Sequence, residues 1–262
     1  MVNTTGYFIT DVHRGVPAMS IASRKEREKE QRRNDILQAA EKLFFARGYD
    51  NVTMDDIAKE VELNKATIYL YFYDKESLYY TVVLRGVQIL NEMVKERERN
   101  ATTGFDKLWE IGHAYFSFVK RYPDYNLVYN YFYSGRFDLT DLRHEYETPI
   151  SPFDSGASFW RNVNWAANWA SKEVARLIID LNHEIFVLMC NAIKAGIDEG
   201  TFRRDLDPEE AAIVFSLLLE SIPRMRPDLE KVLESKGVDQ RKFEQDIGDF
   251  MGHMLMDTVK RS

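Results

Sequence analysis

The stretch Thr53-Met-Asp-Asp-Ile-Ala-Lys-Glu-Val-Glu-Leu-Asn-Lys-Ala-Thr-Ile-Tyr-Leu-Tyr-Phe72 decides the fold. It holds two helix starts and one break. The Thr53 hydroxyl suits a helix cap, and Asp55 and Asp56 behind it suit the positive end of the helix dipole. Met54, Ile57, Ala58 and Val61 then recur on one side. Glu62-Leu63-Asn64 interrupts the pattern, and Asn64 caps a further helix predicted over Lys65–Phe72. At about 100° per residue, Ile68 and Phe72 share one side, with Leu63 just before them, and that side must face a small core. Ala66, Thr67 and Leu70 point away, and Tyr69 and Tyr71 lie on the flanks.

Outward from this stretch the chain stays helical. Upstream, Ile36, Leu37, Ala40, Leu43 and Phe44 form one stripe of a helix from Arg33, and Gly48 stops it. Downstream, Asp74 caps a long helix to about Asn100. Three short helices and a long one, with the second and third joined by about three residues, is the layout of a helix-turn-helix. The small, polar outer face of the third helix, led by Lys65, suits a DNA major groove. Thr53 and Lys75, each beside a helix start, suit phosphate contacts. The same pattern also fits a plain helical subdomain with surface tyrosines, and periodicity alone leaves both readings open.

A resemblance adds to this. Residues 33–85 resemble the DNA-binding domain of the tetracycline-repressor (TetR/AcrR) family. The matching words are Ile36-Leu-Gln-Ala-Ala40, Leu43-Phe44, Gly48-Tyr49, Val52-Thr-Met54, Ile57-Ala58, Ala66-Thr-Ile-Tyr69, Tyr71-Phe72, Asp74-Lys-Glu76 and Leu78. Together they are specific, although each alone is weak. The resemblance implies a homodimeric transcriptional regulator, usually a repressor, whose C-terminal domain binds a small molecule. It implies phosphate contacts at Thr53, Tyr69 and Lys75 and base-reading positions at Lys65, Ala66, Thr67 and Tyr71. One departure stands out: Glu62 occupies the turn position where the family usually has glycine.

The remainder reads as a helical bundle, with helices expected over about Phe105–Arg121, Pro123 to about Tyr133, Ser171–Glu199, from Asp207 to before Pro223, and Asp239–Lys260. Residues 134–158 read as an irregular connection. No period-2 strand is evident, so the expected class is all-α: a loose segment 1–23, a helix-turn-helix domain 24–75, and a helical domain 76–262 for ligand binding and dimerisation. Gly196-Ile-Asp-Glu-Gly200-Thr-Phe-Arg203 also looks like the family's C-terminal half. In the family, helices corresponding to about 171–199 and 208–222 pair into a four-helix dimer interface; their broad apolar faces here equally suit packing within a monomer.

Charge separates the two parts. Residues 1–85 hold 13 Lys/Arg and 13 Asp/Glu, whereas residues 86–262 hold 22 and 29, so the whole net charge of −7 lies in the second part. Within the first part, Arg24–Arg33 has six basic and three acidic residues, either a solvated helical extension or a basic arm toward phosphates. Residues 105–137 carry 12 of the 34 aromatic residues, which forms either a bulky core or an aromatic pocket for a flat or greasy ligand. Trp109, Tyr115, Phe116, Tyr129 and Phe132 are the pocket candidates.

Catalytic chemistry finds no support. There is no glycine-rich phosphate loop, paired-cysteine site or GxSxG turn, and no cofactor is expected. Glu110/His113, Asp141/His144 and Asp180/His183 have spacing that could hold a metal, but only one pair contains Glu, and solvated histidines explain them better. A lone cysteine, Cys190, fits a reducing compartment. No apolar run approaches the roughly 18 residues of a membrane helix, and the N-terminus does not read as a signal peptide. A cytoplasmic regulator that binds operator DNA and a small-molecule effector is the expected reading. The alternative is a non-catalytic helical ligand-binding or scaffold protein whose helix-turn-helix contacts protein.

Overall fold

The computed structural model describes residues 21–139 and 171–256, and among these the chain is helical, with one isolated antiparallel bridge between Phe202 and Met256. The elements are α1 (Ile21–Arg47), α2 (Met54–Glu60), α3 (Lys65–Tyr69), α4 (Lys75–Arg99), α5 (Gly104–Arg121), α6 (Pro123–Phe132), α7 (Ser171–Asp198), α8 (Pro208–Ser221), a 3-10 turn (Ile222–Arg224), α9 (Pro227–Ser235) and α10 (Gln240–Leu255). The loose segment expected over 1–23, most of the irregular stretch 134–158 and the Asp141/His144 pair lie wholly or partly outside the described residues, and the final helix, expected to reach Lys260, ends at Leu255, where Met256 turns extended to bridge Phe202.

The expected starts and stops hold. Gly48 ends α1 at φ 72°, where its N–H donates to the Phe44 carbonyl at 2.9 Å. Thr53 and Asp74 each form reciprocal capping boxes, with Asp56 and Ser77 respectively, and Asn64, Thr103, Asp207 and Asp239 cap their helices through the side chain. Three boundaries differ from the sequence reading. Helix α1 begins at Ile21, twelve residues before Arg33, and its exposed extension carries an Arg24–Glu28 ion pair at i,i+4. Helix α3 ends at Tyr69, and a turn carries the chain to Phe72 through an N–H donated to the Ile68 carbonyl at 3.0 Å. Helix α9 went unread, although Pro227 at its first position is a start signal.

Two apolar clusters organise the molecule. The first joins α1, α2, α3 and the first half of α4 to α6 and the start of α7. Its aromatic rings pack largely edge to face, as in Phe44–Tyr79 at 5.1 Å and Tyr80–Phe132 at 5.0 Å. The second joins the later part of α4 to α5, α7, α8 and α10. Here α5 and α7 meet at bare backbone: a methyl on Gly104 would overlap Ala192 and Gly196. Helices α4 and α7 both run through the two clusters and link them.

Candidate nucleic-acid interface and ligand cavities

The turn between α2 and α3 is a helix stop whose geometry follows from one residue. Glu62 sits at φ 54°, donating its N–H to the Lys59 carbonyl at 3.2 Å, while Leu63 N–H reaches the Ala58 carbonyl at 2.9 Å. These two bonds form a Schellman stop, which places its left-handed residue where glycine is usual. The sequence reading that a glycine-type position is filled by glutamate is met in the backbone.

Beyond the turn, α3 stands on its buried side. Ile68 is fully buried and Phe72 nearly so, and the Arg33 guanidinium lies over the Phe72 ring at 5.0 Å. The opposite side is open. Lys65 and Ala66 are exposed, Tyr69 is 42% exposed and Leu70 68%. Thr67 and Tyr71 are half-buried on the flanks, and the Thr67 hydroxyl donates to Asn64 Oδ1 at 2.9 Å. Tyr73, 63% exposed, extends this face and was missed by the sequence reading. Its signal is its place one residue beyond the buried Phe72.

The three residues expected to meet phosphate are differently placed. Tyr69 is available. Thr53 is exposed, but its hydroxyl donates to Asp56 Oδ2 at 2.5 Å within the capping box. Lys75 lies behind α3, where its ammonium donates to the carbonyls of Tyr49 at 2.9 Å and Val52 at 3.0 Å and sits 4.0 Å from the centre of the Tyr49 ring. Burial lowers its pKa, and a third N–H remains for an outside acceptor. Lys65 forms an exposed ion pair with Asp55 at 2.9 Å, a weak, solvent-screened contact that a phosphate can replace.

Helix α6 ties this unit to the rest. Tyr125 donates to Glu41 Oε1 at 2.7 Å, Tyr131 donates to Asp50 Oδ2 at 2.5 Å, and the Tyr79 hydroxyl donates to the Val128 carbonyl at 2.9 Å. Arg136 adds a 3.3 Å contact to Asp50. The Tyr131 hydrogen bond, then Arg136, hold the Asp50 carboxyl below the usual carboxylate range.

The five aromatic pocket candidates separate. Tyr115 and Tyr129 line a cavity of about 380 Å³ between α4, α5, α6, α7 and α8. Trp109 and Phe116 line a second, of about 300 Å³, between α5, α8 and α10. Phe132 lines neither; it is fully buried in the first cluster against Tyr80 and Tyr133. Among the described residues no group of three or more His, Cys, Asp and Glu side chains is placed to hold a metal. Glu110 is paired with Arg97 at 2.9 Å, and His113 packs on Trp109. No described helix is long and apolar enough to cross a membrane.

Residues 36–81 match the family model of bacterial regulatory proteins of the tetR family. The match covers the helix-turn-helix segment from within α1 to the start of α4. A curated relative is the biofilm operon icaADBC HTH-type negative transcriptional regulator IcaR of Staphylococcus aureus, 33% identical over 79 residues, which is 30% of this chain and 42% of IcaR. The chain thus spans under half the length of that relative. Among solved structures, a tetR-family regulatory protein from Rhodococcus RHA1 superposes with a TM-score of 0.58 at 20% identity, covering 86% of this chain and 96% of that one. The transcriptional regulator FadR from Bacillus subtilis, solved with stearoyl-CoA, superposes with a TM-score of 0.55 at 17% identity, covering 83% of this chain and 96% of FadR. Both likenesses concern the fold.

Proposed function

We propose that this chain is a tetR-family regulator that binds a palindromic operator as a homodimer and is released from it by a small aromatic or hydrophobic effector, acting as a repressor in the cytoplasm. Residues 24–75 read DNA, and residues 76–262 bind the effector and form the dimer. The observation that carries the reading is the open face of α3 above a buried Ile68 and Phe72. A short helix with small and hydroxylated side chains outward, seated firmly on a core, fits the major groove. Lys65, Ala66, Thr67 and Tyr71 contact base edges or their surroundings, and Thr53, Tyr69 and Lys75 contact phosphates.

The dimer reading draws on exposed apolar side chains along α7 and α8. Val187, Ile213, Val214 and Leu217 are open in the single chain, and Leu217 is 62% exposed. An apolar strip of that kind is ordinarily covered. Two copies joined there would set two α3 helices about 34 Å apart, one turn of DNA. The repressor reading follows IcaR, a negative regulator by its name.

Effector coupling runs through α6. Tyr129 and Tyr133 line the larger cavity, while Tyr125 and Tyr131 of the same segment hold Glu41 and Asp50 of the DNA-reading unit. A ligand that favours a shifted α6 moves the population away from the DNA-competent state, with a coupling of roughly 1–3 kcal/mol.

The test is selection of genomic fragments by the purified protein, followed by binding titrations on the recovered duplex. Tyr69→Ala weakens binding to all duplexes, whereas Thr67→Ala changes which duplex is preferred. A folded protein that retards no duplex at low salt, or a mass of one chain at micromolar concentration, contradicts the reading.

A further inference from the structure

The larger cavity has a chemical bias in its walls. Its floor is apolar, made by Leu90, Val94 and Met189 among others, and Tyr115, Tyr129 and Tyr133 bring ring faces and hydroxyls to it. Among the described residues of the lining, Glu220, near the end of α8, contributes the one carboxyl, and there is no Lys, Arg or His. The Tyr133 hydroxyl is already engaged by Asn182 at 2.8 Å, and Ser216 donates to the Ala212 carbonyl at 2.9 Å.

Glu220 is half-buried and makes no hydrogen bond or ion pair with another described side chain. Arg224, whose charge reaches it, is exposed and donates instead to Asn130 Oδ1. Burial raises the Glu220 carboxyl above the usual carboxylate range. A carboxylate held in an apolar wall without a partner is costly unless something brings it a charge or a donor.

We infer that this cavity takes a lipophilic cation, an amine or quaternary ammonium on an aromatic or aliphatic body, and that Glu220 is the specificity-determining residue that receives its charge. The tyrosine rings strengthen the match, because ring faces attract a desolvated cation. An anionic ligand placed in the same space would meet Glu220, while Arg224, whose charge reaches Glu220, Tyr115 and Tyr129, stands outside the described lining and is engaged by Asn130. The inference rests on the reading of this cavity as the effector site and narrows the effector to one class.

The test is calorimetric titration of the DNA-free protein with three probes on one skeleton: 4-phenylbutylamine, 4-phenylbutanol and 4-phenylbutyrate. The amine binds about tenfold or more tighter than the carboxylate, with the alcohol between them. Glu220→Gln removes the amine's advantage and leaves the alcohol within about twofold, and Glu220→Asp retains part of the advantage. Because no partner is lost, Glu220→Gln also raises the thermal midpoint of the empty protein, an effect that keeps the variant folded and readable. Equal affinities for the three probes, a preference for the carboxylate, binding of none, or an amine preference unchanged in Glu220→Gln overturns the inference. The same probes added to the protein–duplex complex separate this from the regulator reading. Glu220-dependent amine binding without duplex release keeps the cavity chemistry and removes the coupling; ordinary duplex binding with no Glu220 dependence does the reverse.

Discussion

The two apolar clusters are built from similar residues but filled differently. In the first, Phe44, Tyr79, Tyr80, Phe132 and Phe137 interlock around α4, and Ile36, Ile57, Ile68 and Leu78 are fully buried. In the second, the same α4 continues between α5, α7 and α8, yet cavities of about 380 and 300 Å³ open there, with Leu219 bordering both. A tightly packed interior resists deformation, and an unfilled one can rearrange around a guest. On the proposed function, the difference fits a rigid DNA-reading unit beside an effector-sensing unit with room to spare, with α6 as the joint between them. Phe132 belongs to the filled cluster and Tyr129 to the cavity wall, three residues apart on one short helix.

The comparison can be broken most directly by matched truncations. Leu78→Ala, in the filled cluster, should cost about 3–4 kcal/mol in urea unfolding. Leu219→Ala, beside existing space, should cost roughly half as much, because fewer packed neighbours are lost. Equal costs would remove the distinction between the clusters. A smaller effect is expected at the turn. Glu62→Gly relieves a left-handed strain of roughly 1–2 kcal/mol against a glycine entropy cost of roughly 0.5–1 kcal/mol. The variant should therefore unfold at slightly higher urea, and a lower midpoint would show that the Glu62 side chain contributes more than its backbone strain takes away.

The smallest expected effect on stability lies at the Tyr131–Asp50 contact, which is exposed. Asp50 has a depressed carboxyl, so its contribution is present above the ordinary carboxylate pKa and is lost as pH falls through the lower folded value. Tyr131→Phe should therefore lower stability slightly at neutral pH, leave it unchanged at low pH, and so flatten that acid limb. On the proposed function it should also weaken the linkage between effector and duplex binding, read as a smaller effector-induced change in duplex affinity.

How much of this was legible in the sequence follows from range. Caps, stops and the Ile68/Phe72 side of α3 depend on residues within about one turn of each other, and each was readable. Glu62 was read at a glycine position with a slightly different turn expected, yet the stop keeps the left-handed geometry at φ 54°. The extension of α1 over Arg24–Arg33 was one of two readings of that charged stretch, and its start at Ile21 was not legible, because its polar residues carry no apolar stripe to mark it. The engagement of Lys75 by Tyr49 and Val52 crosses 26 and 23 residues, and the cavity joins Tyr115 and Tyr129 to Glu220. Aromatic spacing alone therefore grouped Phe132 with residues whose walls it does not share, and passed over the one carboxyl that gives the cavity its sign.

The most direct test of the central claim is anisotropy titration of a selected genomic duplex against a scrambled duplex of equal length, at matched salt, with wild type and Thr67→Ala. The account predicts discrimination of roughly a thousandfold or more by wild type, a reduced or altered ratio for Thr67→Ala, and unchanged thermal midpoints. Equal affinity for both duplexes, or discrimination indifferent to Thr67, would contradict the claim that the open face of α3 reads DNA.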